Sequence, residues 1–261
     1  MTIALALVAG AVIGVLLGLL GGGGSIMAVP ALVYALGLGT SQAILISLIV
    51  VGVASAFGAV PKVRAGQVQW RLAGIFALFG IPATFVGSAI GDHLPESVIM
   101  IGFAAVMVAA GIRMLRDTGD IGTACEVGDD GINWRRCAPR SIPTGFGVGL
   151  LTGLFGVGGG FLIIPALVLM LGLEMPIAVG SSLVIITANS AGGVLAHLRD
   201  AQIDWTITAS FVATAIVGSL IAGQLGTKLD TARLRHWFAY LVFVVAAYVV
   251  IDTTLLHQAS Q

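Results

Sequence analysis

Two short stretches of this 261-residue chain are almost bare backbone: Gly21-Gly22-Gly23-Gly24-Ser25, with Pro30 beyond it, and Gly156-Val157-Gly158-Gly159-Gly160, with Pro165 beyond it. Glycine lets the main chain leave helical angles and lets a ligand come close to the amides. A helix that starts at such a break presents unpaired N–H groups and the positive end of its dipole, which suits an anion. The chemistry indicated is the holding of a small negative solute by backbone amides. Its contact residues would be Gly22, Gly23, Gly24 and Ser25 in one stretch and Gly158, Gly159 and Gly160 in the other. Pro30 and Pro165 would occupy or kink the first turn of the helix that follows. Tight helix crossing with no ligand is the competing reading of the same glycines. A dinucleotide fingerprint is excluded, because no soluble strand precedes the glycines and no acidic residue follows at the required place.

Hydroxyls and an amide add to this set. Ser47 and Ser55 lie eight residues apart, near one face of a helix, and Ser182 and Ser190 repeat that spacing. Ser181 and Asn189 adjoin them, and Thr187 is close by. Such groups bind an oxyanion without a buried fixed charge. Each could instead bond its own helix or a neighbouring one. No acidic residue falls in the middle of an apolar segment, which argues against a sodium or metal cargo. No metal site, cofactor motif or ATP-binding motif is present. His197 is the one titratable candidate for proton coupling, though a histidine at a span end is more often an interface residue. Arg64 and Arg199 stand with Gln67 and Trp70, and with Gln202 and Trp205, at corresponding junctions. Trp anchors a helix at the membrane surface, and the two arginines would draw anions to the mouths of a pathway.

These groups must be carried by helices in a bilayer. The chain is 58% hydrophobic and 9% charged, against about 25% charged for soluble domains. No Asp, Glu, Lys, Arg or His precedes Lys62. Uncharged windows recur at Leu72–Gly91, Ser97–Ile112, Ser141–Leu173, Met175–Ala196, Thr206–Thr227 and Trp237–Ile251; most approach the roughly 20 residues that cross a bilayer. Zero net charge gives no footprint for nucleic acid. Thr2–Leu20 has no basic segment before it, so it reads as a retained span rather than a signal peptide. The spans expected in the first half are a broken segment Thr2–Gly37, then Ser41–Val60, Leu72–Gly91 and Ser97–Arg113. At 36 residues the broken segment is too long for one crossing, so it makes two short crossings or a re-entrant hairpin.

Shifted by 135 residues, the sequence overlays itself, with 21 of 53 positions identical from Gly18 to Trp70. Pro30-Ala31-Leu32-Val33 falls on Pro165-Ala166-Leu167-Val168, and Ser47 and Ser55 fall on Ser182 and Ser190. This is an internal duplication. Beyond Trp70 the register is expected to slip by four, with Gly87-Ser88 answering Gly218-Ser219. The organisation expected is residues 1–116 as a first transmembrane repeat, 117–142 as a polar linker and 143–261 as a second repeat. Lys62, Arg64 and Arg71 gather in one loop, and five arginines flank the linker. Placing positive charge in the cytoplasm makes the repeats inverted, with both termini outside. Cys125 and Cys137, in a linker on that side, are expected to be incidental thiols.

The glycine stretches, their prolines, Ser181-Ser182 and the Gln202-Ile203-Asp204-Trp205 segment resemble the TauE/SafE family, often called sulfite exporters. The likeness runs over nearly the whole chain. It implies an all-α polytopic fold in a bacterial or archaeal inner membrane. It also implies export of a sulfur-containing anion such as sulfite or an organosulfonate. Ser25 stands where the second half has Gly160, so the two helix starts are unequal. An anion channel is the alternative function. An embedded enzyme or assembly factor would need a nucleophile, an acid–base pair or a metal cluster in the spans, and none is visible. Oligomeric state is not legible in the sequence.

Overall fold

The computed structural model describes residues 2–22, 24–25, 28, 32, 40–91, 93–94, 96–116, 127–128, 131–132, 134–155, 160–197, 205–226, 236–237, 239–240 and 242–247. Eight helices are described in chain order: α1 (Thr2–Leu20), α2 (Thr40–Arg64), α3 (Trp70–Gly91), α4 (Glu96–Arg116), α5 (Trp134–Phe155), α6 (Gly160–Pro165), α7 (Met175–His197) and α8 (Trp205–Gly226). A two-residue antiparallel ladder, Val127–Gly128 with Gly131–Ile132, lies in the linker. Helices α2, α3, α7 and α8 are long and apolar enough to cross a membrane. Their outward faces are apolar too, as at Leu78, Phe85, Val217 and Ile221. A helix that is hydrophobic all round belongs in a bilayer. The fold is that of an all-α polytopic membrane protein.

The duplication is visible in the helix ends. α1 ends at Leu20 and α5 at Phe155; α2 begins at Thr40 and α7 at Met175; α3 and α8 run Trp70–Gly91 and Trp205–Gly226, all 135 apart. The main pairings exchange under the same shift: α1 packs along α8, α5 packs along α3, and α2 crosses α7. A β-carbon on Gly10 would strike Phe211 and Thr214, and one on Gly14 would strike the Ala215 backbone. One on Gly145 would meet Phe76, and one on Gly149 the Gly80 backbone. Residue numbers rise together in both pairs, so each pair is parallel. Phe76 and Phe211, like Gly80 and Ala215, keep the 135 shift. The expected slip of four is therefore corrected: the sequence match at Gly87-Ser88 lay one helical turn off, which leaves the packing face almost unchanged.

At the centre, Leu48 lies against Gly193 and Leu183 against Gly58. Numbers rise in α2 as they fall in α7, so these two helices are antiparallel. Leu48 and Leu183, and Gly58 and Gly193, are again 135 apart. The crossing thus maps onto itself when the halves are exchanged.

Two expectations about boundaries and one about a cysteine are corrected. α2 continues through Pro61 to Arg64, so Lys62 sits in its last turn rather than in a loop. α5 begins at Trp134, inside the stretch set aside as linker, and carries Pro139 and Pro143. Ser141 and Thr144 donate back to carbonyls of the same helix, at Cys137 (2.9 Å) and Arg140 (2.6 Å). Cys137 is disulfide-bonded rather than a free thiol, and Cys125, the chain's only other cysteine, lies outside the described residues. The ladder between those two positions folds the linker back on itself, which spacing alone does not reveal.

Pro165 does not open its helix. It closes α6, and the chain widens into a π-helical turn over Ala166–Met170, the adjustment expected where proline withholds an N–H. Gly172, at φ +72°, then turns the chain, with its N–H donated to Val168 O and the Leu173 N–H to Leu167 O, both 3.1 Å.

Candidate functional site: the meeting of the two chain breaks

α1 stops at Gly21, whose φ of +61° is the left-handed conformation that glycine adopts without strain. Gly22 continues the turn, and Ser25 closes it by donating its N–H (3.2 Å) and its hydroxyl (2.7 Å) to Gly22 O. Gly24 then lies against Ile13 and Leu17 of α1. In a continuous helix Leu17 and Gly24 would be about 10 Å apart along the axis, so the chain has doubled back. The second half shows the direction of the return. Gly180, early in α7, packs on Gln67 and Lys62, at the end of the bundle where α3 starts. α3 runs parallel to α5. The arm through α6 therefore returns to the end from which α5 set out.

The two breaks touch. A β-carbon on Gly160 would come within 2.6 Å of Ser25 Oγ and 3.0 Å of Ile186 Cδ1. Ser25 and Gly160 are 135 apart, so each meets its own counterpart from the other half. Ile186 is at the middle of α7, which places this contact halfway along the central helix. A β-carbon on Gly21 would lie 2.6 Å from Ser182 Oγ, so the first break also rests on α7. Gly22, Gly24, Ser25 and Gly160 are all buried. Gly24 faces the α1 backbone, which makes it a packing glycine. Gly23, Gly158 and Gly159 lie outside the described residues.

The polar side chains divide by how they are satisfied. Ser182 Oγ donates to Val179 O at 2.8 Å and Thr187 Oγ1 to Leu183 O at 2.8 Å, within their own helix. Ser181 Oγ accepts the Gln69 N–H at 2.9 Å and so ties α7 to the start of α3. Ser47 is buried and has a partner. Ser55 Oγ, Ser190 Oγ and Asn189 Oδ1 differ, being buried with no hydrogen-bond partner among the described residues. Ser55 and Ser190 are the same position in the two halves. A β-carbon on Gly52, one turn before Ser55, would lie 2.9 Å from Ser190 Cβ, which sets both serines at the α2–α7 crossing. A buried hydroxyl normally bonds its own helix. Leaving one unbonded costs about 1–3 kcal/mol.

Of the pathway-mouth residues, Arg64 is exposed at the end of α2 and His197 is the last residue of α7. Arg199 lies outside the described residues. Sequence reasoning missed the burial of Lys62, whose Nζ has no partner among the described residues, and of Gln67 Oε1, which has none there either. The missed signal was Pro61, read as a helix end when α2 runs through it.

Lipid-facing helices around a polar crossing, with two chain reversals meeting at its centre, define a multi-pass membrane protein of the transporter class. The chain matches the family described as Sulfite exporter TauE/SafE over residues 6–249, and it belongs to that family. Its relatives include a probable membrane transporter protein of Xylella fastidiosa (strain Temecula1), 34% identical over 244 residues and covering 92% of each chain. They also include the probable membrane transporter protein YunE of Bacillus subtilis, 24% identical over 257 residues, covering 90% of this chain and 92% of the relative. The protein is a membrane transporter and not an enzyme.

Proposed function

We propose that this transporter exports a small sulfur-containing anion, such as sulfite or an organosulfonate, across the bacterial or archaeal inner membrane by alternating access. The observation that carries the reading is the pair of unpartnered serines, Ser55 and Ser190, at a crossing that maps onto itself, with Asn189 beside them. Two hydroxyls can donate to one oxyanion, and the adjoining meeting of Ser25 with Gly160 brings backbone from both breaks alongside. Antiparallel packing of α2 on α7, corresponding helices of the two halves, supports inverted repeats. The sulfur chemistry of the substrate rests on the family description.

Expulsion of an anion is favoured by an inside-negative potential, at about 2.3 kcal/mol per charge per 100 mV. A uniporter therefore suffices, and proton coupling through His197 would be an addition. The five arginines around the linker favour a cytoplasmic linker. The disulfide at Cys137 favours an oxidising compartment; the arginines carry more weight because they act on insertion itself. In a cysteine-free background, Leu94→Cys then reacts with a membrane-impermeant maleimide from outside intact cells and Ala65→Cys does not; the reverse pattern inverts the orientation. Function is tested by flux into proteoliposomes with sulfite, sulfate and sulfoacetate under imposed voltage and pH gradients. Saturable flux of a sulfur anion is expected. Absence of flux for the whole panel would refute the substrate class, and single-channel currents would refute alternating access.

A further inference from the structure

Lys62 is one of the largest fully buried side chains among the described residues, and the only charged one of that group. We propose that it is a second anion contact, holding the solute at the inner end of the pathway before it reaches the Ser55–Ser190 crossing. This inference rests on the anion reading above and adds a residue and a subsite to it. A lysine at the end of a membrane helix ordinarily extends its ammonium to water. Here Val63, Arg64, Ala65 and Gly66 around it are exposed, yet Lys62 is 0% exposed and points inward. Its Nζ has no hydrogen-bond partner among the described residues, so no carboxylate there neutralises it. A buried charge left unpaired is costly, and a partner supplied by the cargo removes that cost when the cargo binds.

The surroundings are built to hold the side chain in place. Gly66, at φ +69°, ends α2 with the Gly66 N–H donated to Val63 O (3.0 Å) and the Gln67 N–H to Lys62 O (2.9 Å). This double cap fixes the backbone that carries Lys62 and the turn into Gln67. The Gln69 N–H to Ser181 Oγ bond pins the same segment to α7. Gly180 completes it: a β-carbon there would strike Gln67 O and lie 3.2 Å from Lys62 Cβ. In the second half the position of Lys62 is taken by His197, 135 residues on. Because α2 and α7 are antiparallel, these two nitrogen-bearing positions mark opposite ends of the bundle, with lysine at one and histidine at the other.

The test uses the full chain in proteoliposomes with labelled sulfite, sulfate and sulfoacetate. If the wild type moves none of them, the substrate reading fails, not the role of Lys62. If it moves one, Lys62→Met is expected to raise its KM at least tenfold from the linker side, and Lys62→Arg to recover much of the loss. An unchanged KM in Lys62→Met, or Lys62→Arg no better than Lys62→Met, overturns the proposal. If Lys62→Met does not fold, the wild type decides. The chain has two lysines, Lys62 and Lys228, so acylation by N-hydroxysuccinimide acetate can be read at both by mass spectrometry. The transported anion should slow acylation of Lys62 at least threefold relative to Lys228, with chloride as control. Equal rates at Lys62 in both anions overturn the proposal.

Discussion

The helix pairs α1–α8 and α3–α5 are closed, whereas the α2–α7 crossing is polar and unsatisfied. In the closed pairs glycine is a packing device. A β-carbon on Gly14, Gly87 or Gly149 would run into the backbone of the facing helix. Lipid gives no hydrophobic drive to bring helices together, so close backbone contact supplies the association. At α2–α7 the same exchange of small residues, Gly52 against Ser190 and Gly58 against Leu183, meets side chains rather than backbone. There the buried hydroxyls of Ser55 and Ser190 are left unbonded. The outer pairs hold the scaffold, and the inner crossing leaves buried hydrogen-bonding groups without a partner among the described residues.

The comparison can be broken most severely at Gly14. Gly14→Leu forces a side chain into the Ala215 backbone and is expected to cost upward of about 3 kcal/mol and most of the folded yield, read by size-exclusion chromatography after extraction. Gly74 is the control: nothing lies within 4 Å of a β-carbon there, so Gly74→Ala should be neutral or stabilising by up to about 1 kcal/mol. A fold that tolerates Gly14→Leu as well as Gly74→Ala would remove the distinction. Next in size is Gly160→Val, which crowds Ser25 and Ile186 and should cut flux more than tenfold with a smaller loss of stability. The exchange Ser25→Gly with Gly160→Ser sharpens the claim that these positions are counterparts, since the double variant should keep more flux than Gly160→Ser alone. The smallest effect is expected at Ser181. Ser181→Ala removes the acceptor of the Gln69 N–H and should lower stability by about 1 kcal/mol, read by thermal unfolding.

The breaks, the duplication and the Ser55–Ser190 pair were legible in the sequence because each departs from what lipid otherwise enforces. Four consecutive glycines cannot continue a helix at low cost, and a Pro, Arg, Gln and Trp repeated in register are not explained by apolar composition. The burial of Lys62 was not legible. Pro61 and three nearby cations look like a loop, but a proline in the last turn of a packed helix is tolerated when neighbours satisfy the freed carbonyl. The start of α5 was hidden in the same way by Pro139, Pro143 and a pair of arginines. The register of α3 against α8 was misjudged by one turn because small residues recur every fourth position along both helices, so two alignments bury nearly the same face. Which serines satisfy themselves was beyond reach, since Ser55 and Ser182 differ only in whether their own helix accepts the hydroxyl.

The most direct measurement compares flux and thermal stability of the Ser55→Ala/Ser190→Ala double variant with wild type in the same vesicles. If the two hydroxyls serve a solute, the variant unfolds at the same or a higher temperature, because two buried unbonded groups are gone, and its KM for the transported anion rises tenfold or more. A variant that is less stable yet transports with unchanged KM would show that the serines hold helices together, and the central site would have to be sought elsewhere.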